Sequence, residues 1–182
     1  MSQQMNIKSL FRLGALIGAA ALSSLAGCGE GIANPTDSVS YALTGHTAGP
    51  YGSTSGTMQP SGNHTTAVTR IVGYSTSAYV FGIKLFWGTE SAMYGDTQGI
   101  PGDEIDLTDD PVYRVQYVVS GGILRGIKFH TVDGRTLELG LTPSSSTAFN
   151  NPDAVFTDLQ TWQGIVSSKP TIWGVKFSYV TS

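Results

Sequence analysis

Charge is scarce in this chain: Asp, Glu, Lys and Arg make up 13% of its 182 residues, against roughly a quarter in an ordinary globular protein. Apolar content is 40%, enough for a core, so the deficit does not signal disorder, which goes with low hydrophobicity. Cysteine occurs once, at Cys28, which excludes a disulfide framework and a Cys-based zinc site. The three histidines, His46, His64 and His130, are too far apart in sequence to show metal-ligand spacing. Helical periodicity is missing as well. From Tyr41 onward no apolar stripe at i, i+3, i+4, i+7 lasts three turns. No apolar run has the ~20 residues of a permanent spanning helix. GYSTS, residues 73–77, is not the Gly-x-Ser-x-Gly elbow of a serine hydrolase. Nothing marks a carboxylate pair for glycoside cleavage, and the reading is of a non-enzyme.

What is there begins with a basic start, MSQQMNIKSLFR, and an uncharged run, LGALIGAAALSSLAG. Together they read as the n-region and h-region of an export signal. The ending Leu25-Ala26-Gly27-Cys28 resembles the lipobox of bacterial lipoproteins. That resemblance implies cleavage before Cys28 and a diacylglyceryl thioether on its thiol, giving a stable membrane anchor once two or three acyl chains are present. Gly29, rather than Asp, resembles the outer-membrane pattern of these lipoproteins. The expected organisation is a signal peptide at 1–27, a lipidated tether at 28–40 and one domain at 41–182. Removing Lys8 and Arg12 leaves 8 basic against 13 acidic residues, a net charge of −5 from the −3 of the full chain. Such a surface does not suit a phosphate backbone, so nucleic acid is not the expected partner.

Within the domain the recurring pattern is two-residue alternation, punctuated by turn signals such as Ser120-Gly121-Gly122 and Asp133-Gly134. One face is expected to carry Tyr79, Phe81, Ile83, Leu85 and Trp87, and the next strand Tyr113, Val115, Tyr117 and Val119. Ile123, Arg125, Ile127 and Phe129 would share a third face. Leu137, Leu139 and Leu141 would form a fourth, and Trp173, Val175, Phe177 and Tyr179 a fifth. Many short strands with regular turns predict an all-β sandwich, barrel or prism.

The order of these pieces resembles the jacalin-like lectin domain. The resemblance runs through Gly49-Pro50-Tyr51-Gly52, VTRIVGYSTSAYVFGIKLFWG, Ile100-Pro101-Gly102-Asp103-Glu104-Ile105, GILRGIKFHT with Asp133-Gly134-Arg135, Trp162-Gln163-Gly164 and Trp173-Gly174-Val175. It covers nearly all of residues 45–180. It implies a β-prism of three four-stranded antiparallel sheets and noncovalent carbohydrate binding by loops at one end, with no cofactor or metal. The implied site residues are Gly49, Tyr51 and Gly52 in an entry loop, Gly121 and Gly122 in a middle loop, and Ser167, Ser168, Lys169 and Thr171 in a last loop. Possible homo-oligomers and a glycan or glycoconjugate partner follow from the same resemblance.

The last loop departs from the family pattern, with Ser167 in place of Gly and Thr171 in place of the sugar-binding Asp. A hydroxyl is a weaker acceptor than a carboxylate, and Pro170 removes a backbone donor. Tyr51, Tyr94 and Trp162 are loop-adjacent candidates for stacking on a sugar face, and Tyr51 and Trp162 read equally as packing residues at sheet corners. The alternative function is a protein-binding or structural envelope module that keeps the prism without the sugar site. The acid-rich stretch GDEIDLTDD, residues 102–110, reads either as a calcium loop or, more economically, as a strand with one solvated face.

Overall fold

A computed structural model describes residues 43–181, Ser145 excepted, and these described residues form twelve β-strands. The expected signal peptide, Cys28 and the tether lie outside the described residues. The strands are β1 (Thr44–Gly52), β2 (Thr57–Gln59), β3 (Arg70–Ser75), β4 (Val80–Trp87), β5 (Glu90–Gly95), β6 (Asp103–Asp106), β7 (Val112–Ser120), β8 (Ile123–Thr131), β9 (Thr136–Gly140), β10 (Thr147–Asn150), β11 (Ala154–Val166) and β12 (Lys169–Thr181). They form three four-stranded sheets: sheet I in the order β1-β12-β11-β2, sheet II as β5-β4-β3-β6 and sheet III as β10-β7-β8-β9. Every pairing is antiparallel. This is the all-β prism that the order of the sequence elements predicts.

An internal repeat, missed by the alternation reading, explains the threefold form. Val80-Phe81-Gly82-Ile83-Lys84-Leu85 opens β4, Leu124-Arg125-Gly126-Ile127-Lys128-Phe129 runs through β8, and Ile172-Trp173-Gly174-Val175-Lys176-Phe177 runs through β12. The first, fourth and sixth residues of each copy are fully buried, so three sheets deliver three matching layers to one core. Each such side chain contributes on the order of 1.5–3 kcal/mol on leaving water.

The second residue of each copy is the extra residue of a β-bulge. Phe81, Arg125 and Trp173 are skipped where the registers of β3/β4, β7/β8 and β11/β12 shift. A bulge reverses the facing of everything beyond it. That is why Leu124 rather than Ile123 is buried, and why Arg125 is not a core residue. In the same way Ile172 is buried and Trp173 is only half-buried. A further shift between Val112 and Arg114 buries Val112 with Val115, while Val119 is left exposed. Leu141, expected in line with Leu137 and Leu139, lies beyond the end of β9 and is exposed.

The glycine of each copy faces a second glycine in the neighbouring strand: Gly82 pairs with Gly95, Gly126 with Gly140 and Gly174 with Gly52. At Gly140 the backbone is left-handed (φ 78°), and a Cβ there would collide with the carbonyl oxygen of Arg125. That carbonyl instead accepts a hydrogen bond from Leu141 N at 2.8 Å. Asp96 N on the Phe81 carbonyl and Ser53 N on the Trp173 carbonyl, both at 3.0 Å, repeat the arrangement in the other two sheets.

These close approaches bring three hairpin tips to one pole of the prism: β3–β4, β7–β8 and β11–β12. The opposite pole holds the start of β1, where Thr44 pairs with Thr181. One buried carboxylate ties sheets I and II together between the poles. Asp158, with no exposed surface, accepts from Tyr94 Oη at 2.6 Å and Leu159 N at 2.7 Å through one oxygen. Its other oxygen accepts from Ser61 Oγ at 2.7 Å and His64 N at 3.2 Å, which fixes the connection between β2 and β3.

Candidate functional site

The hairpin pole is set by turn chemistry. Val166 pairs with Lys169, so the β11–β12 turn is Ser167 and Ser168 alone, with φ of 50° and 66°. The β7–β8 turn is built alike from Gly121 (φ 62°) and Gly122 (φ 76°). Two consecutive residues at positive φ are what a two-residue hairpin turn demands, and glycine supplies them without strain. In the third hairpin Thr76 N donates to the Tyr79 carbonyl at 3.0 Å, which leaves Ser77 and Ala78 at the tip.

Gly121, Gly122, Ser167, Ser168 and Lys169 are all exposed at this pole. The other expected site residues are placed differently. Thr171 has no exposed surface, and its hydroxyl donates to the Lys169 carbonyl at 3.1 Å. The short turn ends too early for residue 171 to lie in a loop, so Thr171 is a buried strand residue. Gly49 and Pro50, joined by a cis bond, form an irregularity within β1 between Ala48 and Tyr51 rather than a free loop.

Tyr51 belongs to the seam between sheets I and III. Its ring stacks on Tyr117 at 4.0 Å, and its hydroxyl donates to the Ala148 carbonyl at 3.2 Å. Burial, with Tyr117 and Tyr179 beside it, pushes its pKa up. Gly52 is held against Gly174. The stretch that does reach the hairpin pole from β1 is 53–56. There Ser53 and Ser55 share a hydroxyl contact of 2.6 Å, and Ser55 N donates to Ser53 Oγ at 3.2 Å. Tyr94 is buried against Asp158 and offers no platform. Trp162 is half-buried within β11, paired with Met58 and Gly174.

The alternation reading missed the cluster that knits the three tips together. The Arg125 guanidinium lies 4.1 Å over the Tyr79 ring, and Lys169 Nζ lies 5.8 Å from the Phe81 ring centre. Tyr79 and Phe81 are neighbours, 6.4 Å apart. Neither cation is in an ion pair among the described residues. Trp173 lies over Gly164, where a Cβ would collide with its ring, and its indole N–H has no hydrogen-bond partner among the described residues. The repeat described above was the signal that could have found these positions, since Phe81, Arg125 and Trp173 are its second member and Tyr79 directly precedes one copy. Chemically the pole presents serine hydroxyls, backbone N–H groups and two cations resting on aromatic faces. It is a surface rich in donors, on which the serine hydroxyls can also accept.

The acidic stretch forms a strand with one solvated face: Ile105 and Leu107 are buried, and Glu104 pairs with Arg70 at 3.7 Å. Asp106 accepts from Thr108 N at 2.9 Å and from its hydroxyl at 2.7 Å, which holds its carboxyl below the usual range. Among the described residues no group of three His, Cys, Asp or Glu side chains stands close enough to share a cation. His130 bonds Gln116 Oε1 at 2.7 Å on sheet III, with its pKa lowered by burial and by Arg114 and Lys128 nearby. Two concavities of about 330 and 230 Å³ are found on the described surface, and neither is lined by the hairpin tips.

No protein-family model matches the chain, and no curated protein matches it by sequence. Its structure, by contrast, is similar to solved lectins. A Malaysian banana lectin superposes with a TM-score of 0.61 at 14% identity, covering 76% of this chain and 100% of the lectin. A mannose-binding jacalin-related lectin of Ananas comosus gives 0.58 at 15% identity, covering 76% and 99%. A prostate-specific WGA16 glycoprotein lectin gives 0.53 at 20% identity, covering 74% and 97%. At these identities the likeness is one of fold: the chain has the β-prism of jacalin-related lectins.

Proposed function

We propose that this protein is an outer-membrane lipoprotein, anchored through lipid on Cys28, whose β-prism binds glycan noncovalently at the hairpin pole. The observation that carries the reading is the convergence of tips from all three sheets at one pole, in a fold shared with solved lectins. The hydroxyls of Ser167 and Ser168, the amides of Gly121 and Gly122 and the heads of Lys169 and Arg125 are the donors for sugar oxygens. Each neutral bond contributes only ~0.5–1.5 kcal/mol net, so a single site is weak and many anchored copies supply avidity. With Thr171 buried, no carboxylate replaces the family's Asp, and recognition leans on donors rather than acceptors.

A glycan array probed with the full chain, with and without Ca²⁺, tests this reading. Binding that falls when Lys169→Ala or Arg125→Ala is introduced supports it, whereas no binding to any sugar at millimolar concentration refutes it. Lipidation is tested separately by palmitate labelling in cells, which Cys28→Ser abolishes if the anchor is as proposed. One observation favours a second reading, a protein-binding envelope module. The last hairpin closes over Phe81 with Lys169 instead of framing a concave pocket. Capture of an envelope protein that depends on Lys169, without sugar binding, would select that alternative.

A further inference from the structure

At the pole where β1 begins, far from the hairpin tips, a groove of about 230 Å³ is cut between β1, β12 and the connection from β2 to β3. Its lining includes His46, Thr47, Asn63, Thr65, Ser178 and Tyr179. We infer that this groove is a second saccharide site, sized for one uncharged sugar ring and independent of the pole proposed above.

Three observations carry the assignment. First, the walls are fixed before any ligand arrives. His64, also in the lining, stacks on Trp87 at 3.6 Å, and its backbone N–H is held by Asp158 at 3.2 Å. Asn63 N donates to Ser61 Oγ at 3.0 Å, and Ser61 in turn donates to Asp158. On the opposite wall His46 stacks on Tyr179 at 5.2 Å and shares a hydrogen bond of 3.0 Å with Thr181 Oγ1. A fixed site avoids the ordering cost that weakens binding.

Second, the free groups match a sugar. The hydroxyls of Thr47, Thr65 and Ser178 and the amide of Asn63 make no side-chain hydrogen bond within the described residues. Hydroxyls and amides both donate and accept, as sugar hydroxyls do. The lining contains no Asp, Glu, Lys or Arg to select an ion. Third, Asn63 stands at φ 59° at the rim, a left-handed backbone that Asn tolerates. The volume lies below the roughly 300–1,000 Å³ of sites for drug-sized ligands, so one ring fits rather than a chain.

The histidines themselves report the test. Two of the chain's three line the groove, and His130 lies on sheet III. The full chain with isotope-labelled histidine is titrated with the methyl glycosides of mannose, galactose, glucose and N-acetylglucosamine. Expected are saturable shifts of the His46 and His64 ring signals for at least one sugar, with His130 unmoved. Asn63→Gly removes the amide and keeps the left-handed backbone, and it is expected to weaken that response at least tenfold. Lys169→Ala, at the other pole, is expected to leave it unchanged, so failure of the pole reading and failure of the groove are told apart. The inference is overturned by silent His46 and His64 signals with all four glycosides, by shifts that do not saturate or that His130 shares, or by an unchanged response in Asn63→Gly.

Discussion

Removing the charge from Asp158 tests whether one buried group holds two sheets together. Asp158 accepts four hydrogen bonds through two oxygens and has no exposed surface. In Asp158→Asn one acceptor oxygen becomes an NH₂ donor, so two of the four donors lose their acceptor whichever way the amide turns. The Ser61 hydroxyl can rotate, but the backbone N–H of His64 or of Leu159 cannot. A hydrogen bond to a charged group is worth about 1.5–3 kcal/mol, and a buried donor left unpaired costs about 1–3 kcal/mol. Asp158→Asn should therefore destabilise by roughly 3 kcal/mol. Tyr94→Phe removes one donor and should cost about 1.5–2 kcal/mol. Because the two groups meet at 2.6 Å, the effects should not add: the double variant should fall short of the sum by ~1 kcal/mol or more. Urea unfolding at neutral pH, read from the midpoint at constant slope, measures all three variants. Strict additivity, or a loss below ~1 kcal/mol for Asp158→Asn, would refute the reasoning.

Replacing Ser167 and Ser168 by glycine should raise stability by about 1 kcal/mol in total, because left-handed backbone costs a non-glycine ~1–2 kcal/mol per residue, partly offset by glycine's chain entropy; the reverse change at Gly121 and Gly122 should lower it, both by urea unfolding. Gly140→Ala should cost over 2 kcal/mol, since it combines φ 78° with a collision against Arg125, while Gly134→Ala, at φ 87° in open space, should cost only about 1 kcal/mol; thermal melts rank the two. Burial would raise the pKa of Asp110, but the Thr131 hydroxyl, the Asp133 amide at 2.7 Å and Arg135 at 2.9 Å outweigh it and hold the carboxyl below its usual range. Its folded pKa is thus the lower one, so its contribution is present above about pH 4 and is lost as pH falls through the folded value, a loss that Asp110→Asn removes from an acid unfolding profile. Tyr94 has the opposite sign: burial, then the bond to Asp158 and its charge, raise its pKa, so stability declines as pH rises past the unfolded value near 10, and Tyr94→Phe flattens that alkaline limb.

Fold class was legible because alternation and turn chemistry are local. Ile83, Leu85, Ile127, Phe129, Val175 and Phe177 all face the core as their period requires. The reading failed wherever a bulge intervened, at Arg125 and Trp173, because a single skipped residue inverts the phase and leaves no mark in an apolar count. The glycine after each bulge was the available mark, repeated three times with Lys two residues on. The site was less legible. Ser167 and Ser168 were placed in their turn, but Thr171 was assigned to a loop on the family's spacing, and only the register of Val166 with Lys169 shows that the loop has already closed. Tyr94 reads as a stacking platform from sequence alone because its partner Asp158 lies far along the chain and on another sheet.

The direction of β1 has a mechanical corollary. Its first residue sits at the end of the prism away from the hairpin tips, so any mooring on its N-terminal side grips the molecule by the heel. If Cys28 carries lipid as proposed, the chain is tied through the end of the prism opposite the hairpin tips proposed to meet sugar.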